Sequence, residues 1–221
     1  MKPLQVVRWI FSPRYRRRLH ESKGVRSYLA ASPDNGLLLL HDLPPGAIVM
    51  DIGGYTGEWT AGVALKYDAR FFVFEPVPAF VKRLGERFAG DRRIDILDYG
   101  VGASDQRLRI GLSGDASSVF RDGGGQSMEI NIRGIERIMN DLALDRVGLV
   151  MLNAEGAEFE LLECLLDTGL INRFDRLLVQ FHRVVDQAEE RRAAIQQRMA
   201  ATHLKIYDFP FAWEYWSRRG A

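Results

Sequence analysis

The sequence predicts an open α/β protein whose mostly parallel sheet is covered by helices on both faces. Three observations predict it. Short apolar runs recur along the chain, helical spacings of apolar residues alternate with them, and nearly every run ends in a polar residue. "GLLLLHDLPPGAIVMDIGG" reads as the end of a helix, a Pro-Pro-Gly turn and a first buried strand. A helix follows in "TGEWTAGVALKYD", with Trp59, Val63 and Tyr67 spaced on one face. "ARFFVFEP" is a second strand, and "VPAFVKRLGERFAGD" a helix that lines up Phe80, Leu84 and Phe88. "RIDILDYGVG" is a third strand. The middle, "LRIGLSGDASSVFRDGGGQSMEINI", alternates apolar and polar residues around glycine and serine clusters, as a small hairpin or loop excursion does, with a mobile stretch at Gly123 to Gly125. The alternation resumes with "IERIMNDLAL" as helix, "VGLVMLNAEG" as strand, "AEFELLECLLDTGLI" as helix, "RLLVQFH" as strand and "DQAEERRAAIQQRMAATH" as a long amphipathic helix. "LKIYDFPFAWEYWSRR" closes the chain as two strands joined through a proline turn.

With 221 residues, 47% hydrophobic and 27% charged, the chain is sized for one good core and one domain, residues 35–221, preceded by a basic helical extension over 1–34. The single cysteine, Cys164, excludes an intrachain disulfide and a CxxC metal site, and fits a reducing cytoplasm. Net charge is +1 but unevenly spread: before Ala31, Lys2, Arg8, Arg14, Arg16, Arg17, Arg18, Lys23 and Arg26 face Glu21 alone, which leaves roughly −6 on the remainder. "LQVVRWIF" is too short, and too soon interrupted by Arg8, to be a signal peptide or a membrane span. Its character suits a solvated cap helix, or a segment lying on an anionic membrane with Trp9, Ile10 and Phe11 inserted and "RYRRR" at the headgroups.

In open α/β sheets, ligands bind beyond the carboxyl ends of the strands, so the residues ending each run carry the function. These are Asp51 and Gly53, then Glu75, then Asp98 and Tyr99, then Asn153 and Glu155, then His182. In "DIGGYTG", Gly53, Gly54 and Gly57 leave a bare backbone where a ligand can approach main-chain N–H groups, although a tight turn without a ligand has the same pattern. Glu75 lies about 20 residues further on, at the next strand's end, where an acid accepts hydrogen bonds from ribose hydroxyls. A nucleoside-containing cofactor follows, either a nicotinamide dinucleotide or S-adenosylmethionine. The absence of G-x-G-x-x-G, of a Tyr followed four residues later by Lys, and of a P-loop weighs against nucleotide alternatives. Asp51 also suits a cationic ammonium or sulfonium better than a pyrophosphate.

"VMDIGGYTGEWT", "FFVFEPVPAFVKRL", "VMLNAEGAEFELL" and "LLVQFH" occur in the order and spacing of the FkbM-type methyltransferases, a branch of the class I S-adenosylmethionine-dependent enzymes, which the chain resembles from about Leu38 to Ile206. The resemblance implies a Rossmann-like seven-stranded sheet with an antiparallel strand inserted at the C-terminal end. It implies a cofactor turn at Asp51, Gly53, Gly54, Tyr55 and Gly57, a ribose contact at Glu75 and Pro76, and an adenine contact at Asp98 and Tyr99. Asn153 and Glu155 would then face the methionine end and the acceptor. Three positions depart from the family pattern: Tyr55 replaces a common asparagine, Met151 a common lysine and Asn153 a common aspartate. An amide is neither a base nor a strong cation ligand, so proton removal falls to Glu155 or His182. Ser117 and Ser118 match a serine pair of the family that borders the acceptor pocket.

The resulting expectation is an S-adenosylmethionine-dependent O-methyltransferase acting on a hydroxyl of a sugar, glycolipid or glycosylated metabolite. Its expected location is cytoplasmic or peripheral at the inner face of the membrane. The acidic core and the missing N-P-P-[YF] motif argue against a nucleic-acid partner. No complete metal-ligand set stands out. The alternative expectation, motivated by Asn153 and Met151, is a catalytically degenerate methyltransferase fold serving as an interaction module.

Overall fold

The computed structural model describes residues 23–111 and 127–220. In chain order its elements are α1 (Lys23–Ala31), β1 (Ala47–Ile52), α2 (Glu58–Ala64), β2 (Ala69–Phe74), α3 (Pro78–Arg87), β3 (Ile94–Leu97), β4 (Gly100–Gly102), β5 (Gln106–Gly111), β6 (Ser127–Gly134), α4 (Ile135–Asp141), β7 (Leu149–Leu152), α5 (Ala157–Asp167), β8 (Arg176–Val179), α6 (Ala188–Met199), β9 (His203–Phe209) and β10 (Trp213–Arg218). Seven strands form one sheet in the order β3-β2-β1-β7-β8-β10-β9. The first five of these pair in parallel, and β10 runs antiparallel to both neighbours. This is the Rossmann-like, doubly wound sheet expected from the sequence.

The apolar runs are continuous because both faces of the sheet are buried and successive side chains point to opposite sides. Val49, Phe71, Leu149 and Leu178 pack on one face with Trp59 and Val63 of α2 and Tyr28 of α1. Met50, Phe72, Val150 and Leu177 pack on the other with Ile138 of α4, Phe159 of α5 and Ile195 of α6. No helix among the described residues is long and apolar enough to cross a membrane.

Two expectations are corrected. The stretch after Asn35 is a 3-10 turn at Gly36–Leu38 rather than a helix end, because Pro33, two residues past the end of α1, bars its continuation and Asn35 takes a left-handed conformation at φ 58°. The third predicted strand is two. β3 stops at Leu97, and β4 leaves the main sheet to pair with β6, which also pairs antiparallel with β5. Glycine allows this: a Cβ on Gly100 or Gly102 would lie 2.5 or 2.7 Å from the Ile132 side chain. The small β4-β6-β5 sheet buries Ile110 and Ile130 against Val77 and Phe80 at the start of α3. The triple glycine Gly123 to Gly125 lies outside the described residues, as does the leader before Lys23.

α1 is tied to the far edge of the main sheet. Gly24 and Tyr28, one turn apart, are its buried residues. The Tyr28 ring meets Phe209 edge-on at 5.6 Å, its hydroxyl donates to Asn35 Oδ1 at 2.8 Å, and Tyr207 donates to the Leu37 carbonyl at 3.2 Å. Gly24 sits so tightly under the β9–β10 turn that a Cβ there would come within 1.8 Å of the Pro210 carbonyl oxygen. Gly24→Ala should therefore lower stability by about 1–3 kcal/mol despite alanine's better helix propensity, measured by urea unfolding. Unchanged or raised stability would contradict this packing.

Candidate active site

The five parallel strands end level. Ile52 of β1 is in register with Phe74 of β2 and Leu152 of β7, Phe74 with Leu97 of β3, and Leu152 with Val179 of β8. The next residue of each strand, Gly53, Glu75, Asp98, Asn153 and Gln180, therefore stands in one row along the sheet's carboxyl edge. Backbone hydrogen bonds hold the row: Gly53 and Gly54 N–H donate to the Phe74 carbonyl, Glu75 to Leu97, Asn153 to Ile52 and Gln180 to Leu152, all at 2.9–3.1 Å. The strand order reverses between β1 and β7, which is the switch point where such sheets bind ligands.

At the switch point Gly53, φ 93°, lies against the Asn153 carbonyl, and a Cβ would approach that oxygen to 2.2 Å. The other two glycines serve packing. A Cβ on Gly54 would lie 2.3 Å from Val73, and one on Gly57, φ 81°, within 2.9 Å of Leu84 and Phe88. The bare turn is thus required by close packing at all three positions, and the ligand reading must rest on the side chains around it.

Those side chains supply it. Asp51 is buried; its Oδ2 accepts from Thr60 Oγ1 at 2.5 Å while Oδ1 has no partner. Asn153 Oδ1, across the switch point, is likewise buried without a partner. Two orphaned acceptors on adjacent strand ends call for a hydrogen-donating, preferably cationic, group between them. Glu75 is buried and accepts from the N–H of Tyr55 and of Val77, each at 2.9 Å, one on each oxygen. A carboxylate has about four acceptor sites, so a pair of hydroxyls can still be held. Burial raises Asp51 to about 6 despite the Thr60 bond, and raises Glu75 to about 7 despite its two backbone donors, with Asp51 adding to the effect.

Asp98 is exposed at the end of β3, and Tyr99, beside it, is buried with the Arg133 guanidinium 3.9 Å above its ring. Tyr55, left-handed at φ 49°, sets its half-exposed ring 4.5 Å from that of Phe80. Pro76 is half-buried and packs toward Gly100. Ser117 and Ser118 lie outside the described residues.

Past Asn153 the chain enters a second left-handed residue, Glu155 at φ 53°, three positions beyond its strand just as Tyr55 is. Left-handed non-glycine residues cost about 1 kcal/mol or more and gather at functional sites. Glu155 Oε2 is 3.7 Å from Nε2 of His182, which is buried three residues beyond β8. On its other side His182 is held by Glu158, a fully buried glutamate in the first turn of α5. Glu158 Oε1 accepts the His182 backbone N–H at 2.8 Å and faces Nδ1 at 3.1 Å, and Oε2 accepts from Gly156 N–H at 2.6 Å. Burial disfavours the charged imidazole, but Glu158 and then Glu155 outweigh it and lift His182 to about 9. His182 is therefore held as a cation between two carboxylates, rather than as the free, near-neutral base expected from the sequence.

Sequence reasoning overlooked Glu158, although a signal existed: it shares the helical face of Leu161, Leu162 and Leu165, where a charge is out of place without a partner. Thr60, which holds Asp51, and Gln180, in the row, were also missed. No cluster of three or more metal-ligating side chains occurs among the described residues.

A family model described as the methyltransferase FkbM domain matches residues 51–216, and the chain belongs to that family. A putative rRNA methylase from Clostridium thermocellum has the same fold, with TM-score 0.53 at 10% identity, 86% of this chain aligned with 94% of that one. A putative methyltransferase from Streptococcus mutans in complex with S-adenosylhomocysteine gives 0.49 at 9% identity, over 83% of this chain and 95% of that one. Aeropyrum pernix fibrillarin with natively bound S-adenosylmethionine gives 0.44 at 13%, over 86% and 74%. At such identities the likeness is one of fold. No curated protein matches the chain. The chain is thus a member of a methyltransferase family, and S-adenosylmethionine is the cofactor that the resemblance of its motifs implies. The site fits that molecule: orphaned Asp51 and Asn153 acceptors for an ammonium, and spare Glu75 lone pairs for ribose hydroxyls.

The His182 clamp has a stability signature. A raised pKa means that the protonated ring favours the folded state, so its contribution is complete below about 6.5 and is lost as pH rises through about 9. Glu158→Gln should cost about 1.5–3 kcal/mol at pH 7 and markedly less at pH 10, with the His182 ring titrating lower by NMR. An equal loss at both pH values would refute the ionic clamp.

Proposed function

We propose that the chain is an O-methyltransferase that moves the methyl group of S-adenosylmethionine to a hydroxyl of a small-molecule or glycan acceptor, such as a sugar, glycolipid or glycosylated metabolite. The observation that supports this best is Glu155 at the switch point, held in a left-handed turn beside a clamped histidine. S-adenosylmethionine, when bound, supplies an electrophilic methyl on a sulfonium. The protein then has to orient the acceptor, exclude water and remove a proton. Asp51 and Asn153 orient the ammonium end, Glu75 the ribose and Asp98 the adenine. Glu155 accepts the hydroxyl proton. His182, as a cation, positions that carboxylate, while Glu158 fixes the ring.

A hydroxyl needs a base in a way that a free amine does not, so Glu155 favours O-methylation. The acidic balance of the chain outside the leader favours a neutral acceptor. RNA is the second reading, favoured by the basic leader and by the rRNA acceptor named for the Clostridium thermocellum protein. A tritiated-methyl screen over glycans, glycolipids and RNA decides among these, and turnover on any of them removes the degenerate-module alternative.

Glu155→Gln should lower kcat about 10²–10⁴-fold with little change in affinity for S-adenosylhomocysteine. Equal loss of both would make Glu155 a cofactor residue instead. In the wild type, kcat should fall as pH rises through about 9, when His182 loses its proton, and Glu158→Gln should move that limb to lower pH. Cofactor binding should also release protons near pH 6 to 7, because donors placed on Asp51 and Glu75 favour their ionised forms, so affinity should increase with pH across that range. Calorimetry in buffers of different ionisation enthalpy reads this directly, and proton uptake would contradict it.

A further inference from the structure

The basic leader plays no part in the cofactor site, yet the fold determines where it departs. β10 is antiparallel to its neighbours, so the β9–β10 turn falls at the same edge of the sheet as the strand-end row: Glu214 pairs with Val179, Trp213 with Phe209, and Pro210 and Phe211 lie just beyond. The N-terminal end of α1 is fixed to that turn by Gly24 under the Pro210 carbonyl, and the helix then descends past Phe209 toward the 3-10 turn and the start of β1. Lys23, where the described chain begins, is therefore at the catalytic edge, on the side of His182 and Arg183 rather than of the cofactor's adenine end.

The 22 residues before it combine two features in order. Leu4 to Phe11 holds six large apolar residues, Leu4, Val6, Val7, Trp9, Ile10 and Phe11; Arg14, Arg16, Arg17 and Arg18 follow. An arm that only neutralises phosphates needs the second feature and gains nothing from the first. A bilayer rewards both, because apolar and aromatic groups enter the interface while arginines meet anionic headgroups. The remaining chain, near −4, is repelled by the same surface, which leaves the leader as the attracting pole and its attachment point as the pole's position.

We propose that the leader docks the protein on an anionic lipid bilayer with the catalytic edge facing it, so that the acceptor is membrane-borne, a glycolipid or lipid-linked glycan. This rests on the methyltransferase reading for the identity of the edge, but docking itself does not. The test is co-sedimentation of the full chain with vesicles of phosphatidylglycerol and phosphatidylcholine, or of phosphatidylcholine alone. Binding to the anionic vesicles only, weakening with salt, is expected. The combined Arg14→Gln, Arg16→Gln, Arg17→Gln and Arg18→Gln variant should bind at least about a hundredfold more weakly, at roughly fivefold per arginine. The same variant should keep its calorimetric affinity for S-adenosylhomocysteine, and a wild type that lacks that affinity but binds vesicles would sink the functional reading alone. For orientation, an environment-sensitive fluorophore on Arg183→Cys, in a Cys164→Ser background, should brighten on vesicle binding. One on Arg146→Cys, just ahead of β7 at the opposite end of the sheet, should not. Absence of vesicle binding, preference for a hairpin RNA over vesicles, or brightening at Arg146 rather than Arg183 would overturn the proposal.

Discussion

The row of strand ends depends on how closely the chain after β1 can pass the chain after β7 once the two strands stop pairing. Gly53 meets the Asn153 carbonyl where any side chain would collide, and that approach lets both strand ends stay level before their helices diverge. Level ends bring Glu75, Asp98 and Gln180 into the same row. The orphaned oxygens of Asp51 and Asn153 belong to the two strands that meet at this switch point. A bulkier residue at Gly53 would disturb the row and the electrostatics together, because the same backbone positions carry both.

The edge is also where the fold retains unfavourable features. Two buried carboxylates lie with incomplete partners and raised pKa values, and two non-glycine residues sit in left-handed conformations at equivalent places after β1 and β7. Each costs stability in the free protein. A bound donor-rich, cationic molecule relieves the carboxylates. By contrast the Glu158 carboxylate is fully engaged, with three protein donors around it. The contrast separates two kinds of buried acid: those with spare acceptor capacity and one that fixes a neighbour. His182 belongs to the second arrangement on one side and meets Glu155 on the other, which is how the rigidity of α5 reaches the turn after β7.

Much of this was legible in the sequence, for reasons that apply residue by residue. Asp51, Glu75, Asp98 and Asn153 could be placed because each follows or ends a continuous apolar run, and register across a parallel sheet then aligns them. The β4 departure could not be read. It depends on Ile132, thirty residues away, packing over glycines that look like ordinary strand positions from sequence alone. The state of His182 was hidden for the same reason, since its charge is set by Glu158 from a different element. The role of the glycines was also only half legible: the pattern marks a tight turn, but whether a ligand or the protein itself fills the space over Gly54 and Gly57 is decided by Val73, Leu84 and Phe88.

The central claim is that the strand-end row is a cofactor site. The most direct test is calorimetric titration of the purified chain with S-adenosylhomocysteine, alongside Glu75→Ala and with NADH as a control. The account predicts saturable one-to-one binding of S-adenosylhomocysteine, no binding of NADH, and a loss of about tenfold or more in the variant as the hydroxyl contacts disappear. Undiminished binding in Glu75→Ala, or none in the wild type, would contradict it.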